Sequence, residues 1–366
     1  MATQTDDPDA ISVIVGGNVH KHWTTYEIDS DLLTPADAWT VQLGLDAGSK
    51  LPAEIVSMAD VEIRVGDDTV MKGRIDEIRH HVEKHSPWVM MSGRDGAAVL
   101  VDCSAPIFVA KEITLDQVVA QVVRPLGITS VRIDADEKAR MEKINIDPGT
   151  TAWDALQQAA EANGLWPWFE PDGTLVVGGP DYTADPVDEL VMRLDGKGNN
   201  LLSLEYIQSM PQHYSEVTVL GQAHGTSHQL GKASVKATAK DTNVAIYRPH
   251  VSVDGDVLTA TEARSRARKY VADGRLAGTT LVAAVKGHRT VAGELWHPGQ
   301  RVYLTSEPHG LDDIYFLMAR KFSGGRGRPT VTQLTLKEDG VWVLDAHKQR
   351  KKAGKKKLVP TIVDWN

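Results

Sequence analysis

The sequence predicts a mainly β protein with α+β insertions: two similar antiparallel β-barrel domains per chain plus small α/β domains. Three observations carry this prediction. Segments 61–65, 70–79 and 88–92, joined by charged turns, read as three short antiparallel strands. Segments 301–305, 315–321 and 331–336 repeat that strand–turn order at similar spacing. Between them, apolar residues recur at helical period in three places, so the β-rich parts flank helical insertions.

Taken in order, 11–15 and 40–45 alternate well enough for strands, and 61–65 runs into the turn at Gly66-Asp67-Asp68. Gly73, in the middle of the next strand, predicts a bend or bulge of the kind small barrels need at their corners. After Cys103 the texture changes. Thr114 with Gln117 forms a capping-box pattern ahead of the helical run 115–123, which Pro125 and Gly127 end. A second helix starts at Thr150 or Thr151, with Ala152, Trp153, Leu156, Ala159 and Ala160 on one face and Asn163-Gly164 at its end. A strand at 165–170, the turn Pro171-Asp172-Gly173 and a strand at 174–177 follow. Trp166-Pro167-Trp168-Phe169 is read as core and inter-domain packing rather than a ligand-stacking platform.

Strands resume at 202–207 and at 216–220, closed by Gly221, and the weakly patterned 222–245 reads as a loop or long exposed hairpin. A third helix is expected over 261–272, capped by Thr259 or Thr261 and ended by Gly274, with Arg264, Arg266, Arg268 and Lys269 on its exposed face. Strands at 281–286, 301–305, 314–321 and 330–337 complete the pattern. The expected division is a first barrel at 1–102, a small α/β domain at 103–185, and a second barrel at 186–250 with 280–345. Residues 251–279 are the helical part of a second small domain, and 346–366 a tail. Two similar barrels per chain would let three chains form a pseudo-sixfold ring, a closed symmetry of the kind oligomers favour.

At 366 residues the chain suits several domains, and no run of 18 apolar residues offers a membrane span, so no membrane anchoring is expected. The acidic first ten residues lack the basic and apolar regions of a secretory signal. Cys103 is the single cysteine, which excludes an internal disulfide and fits synthesis in a reducing cytosol. Charge is uneven. The last twenty residues carry seven Lys/Arg and one acid, leaving 33 basic against 48 acidic side chains in the rest. An acidic body disfavours broad nucleic-acid binding, while a basic tail favours a partner. That tail reads as a solvated segment, a nucleic-acid contact or a docking arm. The docking arm is favoured because Lys355, Lys356 and Lys357 lead into apolar β-formers including Ile362 and the aromatic anchor Trp365.

Chemistry-bearing clusters are weak. His20 and His22, His80, His81 and His85, and His224 and His228 lack metal-ligand spacing or a third ligand. Cys103 reads as structural, no Gly-x-Ser-x-Gly elbow occurs, and acids alone do not define a hydrolytic pair. The Gly-rich segment 323–329 matches neither a phosphate-binding nor a dinucleotide-binding loop. It reads as a hairpin tip presenting Arg326 and Arg328 to a partner or a lumen. No catalytic residue, cofactor or metal is expected.

The run Thr151-Ala152-Trp153-Asp154-Ala155-Leu156-Gln157-Gln158-Ala159-Ala160-Glu161-Ala162-Asn163-Gly164-Leu165, then Phe169 and Pro171-Asp172-Gly173-Thr174-Leu175-Val176-Val177, resembles a family element. It is similar to the helix-then-hairpin of baseplate hub proteins of Mu-like contractile-tailed phages, related to the late control protein D group and to the hub part of type VI secretion spike proteins. The resemblance covers 10–345. It implies a non-enzymatic homotrimer joining the tail tube, or a tube-initiator protein, to a central spike protein around a channel for viral DNA, with baseplate wedge proteins outside. It implies a place in the virion after assembly in the host bacterial cytoplasm. No fused lysozyme or needle domain accompanies the pattern, so the spike is expected as a separate chain. Two other functions compete: a cell-wall hydrolase, which would clear peptidoglycan, and a DNA-binding architectural protein, whose binding would weaken steeply with salt.

Overall fold

The computed structural model describes residues 8–342 apart from 47–49, 84–85, 107–108, 135–139, 146–148, 163, 223–233, 255–256 and 258. The N-terminal part supplies β1 (Ile11–Val15), β2 (Asn18–His20), β3 (Thr25–Asp31), β4 (Ala38–Gly44), β5 (Asp60–Val65), β6 (Asp68–His81) and β7 (Trp88–Asp95). The helical insertion holds α1 (Ala98–Asp102), β8 (Val109–Thr114), α2 (Leu115–Val118), β9 (Val131–Ile133), β10 (Arg140–Asn145), α3 (Ala152–Ala162), β11 (Trp166–Phe169) and β12 (Leu175–Gly178). Then come β13 (Glu189–Met192), β14 (Leu201–Gln208), β15 (Glu216–Gln222), β16 (Ser234–Lys240), β17 (Pro249–Val253), α4 (Ala260–Gly278), β18 (Thr279–Lys286), β19 (Arg301–Ser306), β20 (Leu311–Gly325) and β21 (Arg328–Glu338).

The two barrels that the sequence predicts are not formed. A single 13-stranded open sheet runs β14-β18-β21-β20-β3-β4-β7-β6-β5-β1-β2, with β19 on β20 and β13 on β19. The reason lies in β20. The first part of this 15-residue strand pairs with β19 through 311–316, while on the same edge Ala319–Gly324 pairs with β3. A barrel closes only when its first and last strands meet. Here β3, the edge strand of the first half, is used by the second half instead. The apolar faces merge accordingly: Ile28, Trp39, Ile63, Ile75 and Met91 share one core with Leu281, Leu304, Leu317, Phe322 and Leu334.

The repeat seen in the sequence is present within that sheet. β3-β4-β7-β6-β5-β1 in the first half corresponds to β14-β18-β21-β20-β19-β13 in the second. The correspondence reaches single hydrogen bonds. Met58 N–H donates to the Ile75 carbonyl at 2.8 Å and Ile75 N–H to Ala59 at 3.1 Å; Gly299 N–H donates to Leu317 at 2.8 Å and Leu317 N–H to Gln300 at 2.8 Å. Met58 and Gly299 both have positive φ, 69° and 96°. Each long strand carries a bulge one residue further on, at Asp76 in β6 and Met318 in β20. The halves differ in that β1 joins β5 antiparallel whereas β13 joins β19 parallel, and in a register shift between Ile63 and Arg64 that the β19–β20 ladder lacks.

Gly73 does not mark that bulge. It serves close cross-strand approach, because a Cβ there would stand 2.0 Å from the Arg94 carbonyl, and one on Gly93 would stand 1.9 Å from the Arg74 carbonyl. In the insertion, α3 is capped by the Thr151 hydroxyl, which accepts from Asp154 N–H at 3.0 Å. It ends in a Schellman turn: Leu165 N–H reaches Ala160, Gly164 N–H reaches Glu161, and Gly164 has φ 68°. Its apolar stripe packs on α1, α2 and β12. The α2 run continues in π geometry over Val119–Val123 and a 3-10 turn over Arg124–Leu126, ended by Gly127 at φ 88°.

β15, β16 and β17 form a separate three-stranded sheet, ordered β16-β15-β17, that packs against α4. Thr259 caps α4 in a full capping box with Glu262. Gly274 does not end the helix, which continues to Gly278. Both glycines let the 210–213 segment approach: added Cβ atoms would meet Gln212 O at 2.6 Å and His213 Nδ1 at 2.8 Å.

Candidate assembly surfaces

Arg326 and Arg328 lie where the sequence puts them, at the exposed tip of the β20–β21 hairpin. Gly325 and Gly327 supply the turn with φ 144° and 74°. The tip is anchored, because Arg326 N–H donates to the Trp23 carbonyl at 3.0 Å and a Cβ on Gly325 would clash with Thr24 O. Both guanidinium groups are thus held on a fixed scaffold facing solvent. The other candidate residues, Trp365, Ile362, Lys355, Lys356 and Lys357, fall outside the described residues. His85, His224 and His228 fall outside as well. Among the described residues no group of three or more His, Cys, Asp or Glu could hold a metal ion. His20 and His81 instead lie near single acids, Glu54 at 3.7 Å and Glu83 at 3.6 Å.

The junction between the sheet halves contains polar groups that sequence reasoning missed. Arg320, 4% exposed, donates to the Ile28 carbonyl at 2.9 Å, and its guanidinium lies 4.1 Å over the Phe322 ring. Burial pulls its pKa down to about 10. Asp37 accepts from Asp31 N–H at 2.9 Å, and burial pushes its pKa up to about 6. Burial first and the Asp37 charge second hold Asp95 well above the usual carboxylate range. These groups border a cleft of about 230 Å³ whose other lining includes Trp153, Trp168 and Phe316. Trp166 closes the neighbouring contact, donating to Leu32 O at 2.5 Å and meeting Trp342 edge-on. The Trp-Pro-Trp-Phe run thus packs the insertion onto the sheet.

His288 is the second polar element of the junction. The Thr332 hydroxyl donates to Gly287 O at 2.6 Å, so it accepts from His288 Nδ1–H at 2.9 Å. Nε2 is then the acceptor for the Tyr26 hydroxyl at 2.9 Å. This chain ties β3 of the first half to β21 of the second through one neutral imidazole. Burial, with Arg320 adding repulsion, pulls its pKa down to about 3. No sequence pattern flagged His288 or Arg320, because each is isolated in the chain and acquires neighbours only when the halves join. The arrangement stabilises a junction and offers no nucleophile–base pair for catalysis.

Comparison with known proteins agrees with this architecture. Four family models match consecutive parts of the chain: the Mu phage baseplate assembly protein GpP-like N-terminal model over 10–95, the baseplate hub protein gp44-like second domain over 97–179, the tail protein NMB1110-like third domain over 213–271, and a tail protein C-terminal domain over 273–341. The baseplate hub protein gp44 of Escherichia phage Mu is 26% identical over 321 residues, 85% of this chain and 82% of that protein. The 43 kDa tail protein of prophage MuSo2 from Shewanella oneidensis shares the fold, with a TM-score of 0.80 at 23% identity over 91% of this chain and 99% of the other. The tail protein from Neisseria meningitidis MC58 is 40% identical, with a TM-score of 0.81 over 92% of this chain and 98% of that one. At that identity over nearly the whole relative, the chain belongs to the gp44-like family of baseplate hub proteins of contractile-tailed phages, structural components of the virion tail rather than enzymes.

Proposed function

We propose that the chain works as a homotrimer, an adaptor between the tail tube and the central spike, with wedge proteins outside and viral DNA passing through its centre. The observation that carries this reading is the internal duplication of one strand order within a single chain. Three chains present six copies of the repeated half and three copies of everything else. Such an object meets a six-fold tube on one side and a three-fold spike on the other without a symmetry mismatch. The acidic body favours passage of DNA without retention. The tail is the spike-docking arm in this reading, with Trp365 and Ile362 as apolar anchors beyond Lys355, Lys356 and Lys357, and Arg326 and Arg328 contact a second partner from the hairpin tip.

Light scattering at micromolar concentration tests the reading, with a trimeric mass expected. A chain that stays monomeric with tube and spike proteins present overturns it. Deleting 346–366 is expected to leave the trimer intact and weaken spike attachment.

A further inference from the structure

The cleft between the insertion and the sheet is both acidic and aromatic. Its lining sets five carboxyl groups, Asp31, Asp37, Asp95, Glu170 and Asp181, against one guanidinium, Arg320. Three of the five already have local donors. Asp31 accepts from Leu33 N–H at 2.8 Å, Asp181 from Thr183 N–H at 2.8 Å, and Glu170 from Trp168 Nε1–H at 3.2 Å. Asp37 and Asp95 are held side by side, since Asp95 N–H donates to the Asp37 carbonyl at 2.9 Å. Asp95 is buried and Asp37 half-buried.

The two cations that act on this pair are engaged elsewhere. Arg320 donates to the Ile28 carbonyl and stacks on Phe322, while Arg94 is held by Asp76 and Asp102, each at 2.6 Å. Arg320 also keeps a donor in reserve: its Nε–H has no hydrogen-bond partner among the described residues, although the side chain is 4% exposed. Two adjacent carboxyls without a counterion, beside a buried donor without an acceptor, disfavour folding. Ala36, next to Asp37 in the same lining, adds backbone strain at φ 67°. Such costs gather where a ligand is held.

The walls suit the stem of a long side chain. Trp153 of α3 and Trp168 of β11 come from the insertion, and Phe316 of β20 from the sheet. Both indole N–H groups are taken, by Gln157 at 3.0 Å and by Glu170 at 3.2 Å, which leaves apolar ring surface. Aromatic rings beside carboxylates favour a cation carried on an apolar stem. Asp37 and Arg320 also border a second cavity of about 200 Å³, but its lining has no aromatic ring and already includes the cation Lys321.

We propose that the cleft receives a basic side chain, lysine or arginine, from a partner polypeptide, with the cationic head between Asp37 and Asp95 and a main-chain carbonyl accepting from Arg320 Nε–H. The unused donor selects the source. A free diamine offers the charge and no acceptor, whereas a residue within a polypeptide offers both. Such a site exists in a single chain, whatever its oligomeric state.

Calorimetric titration of the full chain at neutral pH with Nα-acetyl-L-lysinamide tests the site, with the uncharged analogue Nα-acetyl-L-norleucinamide and putrescine as comparison probes. For a probe of this size the expected dissociation constant is on the order of 1 mM. Norleucinamide, lacking the charge, and putrescine, lacking the acceptor, are each expected to bind about tenfold more weakly. Asp37→Asn is expected to weaken lysinamide binding about tenfold while leaving the urea midpoint unchanged or higher, because it removes a desolvated charge. No binding of lysinamide overturns the proposal, as does equal binding of norleucinamide or binding that Asp37→Asn leaves intact. Putrescine binding as tight as lysinamide overturns the polypeptide source. A chain ending at residue 345 is expected to bind lysinamide as the full chain does; binding about tenfold tighter there would assign the cleft to the chain's own basic tail and overturn a partner as the source.

Discussion

His288 shows how one residue couples the sheet halves to pH. Its folded pKa of about 3 lies below the unfolded value near 6.5, so its contribution is fully present above about 6.5 and is lost as pH falls toward 3. The expected loss approaches roughly 1.4 kcal/mol per pH unit inside that window. Asp37 acts in the opposite sense: its raised pKa makes ionisation costly in the fold, so its contribution is present below about 4 and declines as pH rises through about 6. Urea unfolding of His288→Gln should separate the two. The variant is expected to be less stable than the native chain at pH 7, by about 1 kcal/mol, and the gap should close or reverse by pH 4. Gly73 makes a second residue-scale case. Gly73→Ala puts a methyl group against the Arg94 carbonyl and is expected to cost about 1–3 kcal/mol, measured as a lower urea midpoint. The sequence marked Gly73 as special but assigned it to a bend or bulge, because a strand glycine reads alike whether it bends its own strand or admits a neighbour's backbone.

At the scale of elements, local signals served best where the physics is local. The α3 cap at Thr151, its buried stripe and its glycine stop were all legible, because capping and amphipathicity involve residues only a few positions apart. The end of α4 was not. Gly274 normally stops a helix, yet here it sits mid-helix to receive Gln212 O, a contact from 62 residues earlier in the chain. The two kinds of position respond oppositely to alanine. Thr259→Ala is expected to lower stability by about 1 kcal/mol through loss of the cap. Gly274→Ala, which helix propensity alone would favour by about 1 kcal/mol, is expected to destabilise the protein instead, since the new Cβ meets a backbone oxygen that has little freedom to move. Thermal melts of the two variants check both signs.

For the whole molecule, the repeated strand order was visible from turn spacing, and the hairpin presenting Arg326 and Arg328 came with it. Closure into two barrels did not follow. Edge pairing is a choice among backbones that all carry the same N–H and C=O groups, and a sequence pattern of period two names the buried face of a strand, not its neighbour. Truncation at residue 345 is expected to leave oligomeric mass and thermal stability unchanged, because the 13-stranded sheet and its helical insertions are built from residues up to Glu338; a loss of mass on light scattering would place assembly contacts in the tail. By itself, the sequence determined the helix α3, the start of α4, the strands of the repeated halves, the duplication, the hub resemblance and the contrast between acidic body and basic tail, since each depends on residue chemistry read along the chain. Only the tertiary structure decided that β3 joins β20 and that Arg320, Asp37 and His288 meet at that seam, because those outcomes depend on which distant backbones meet in space.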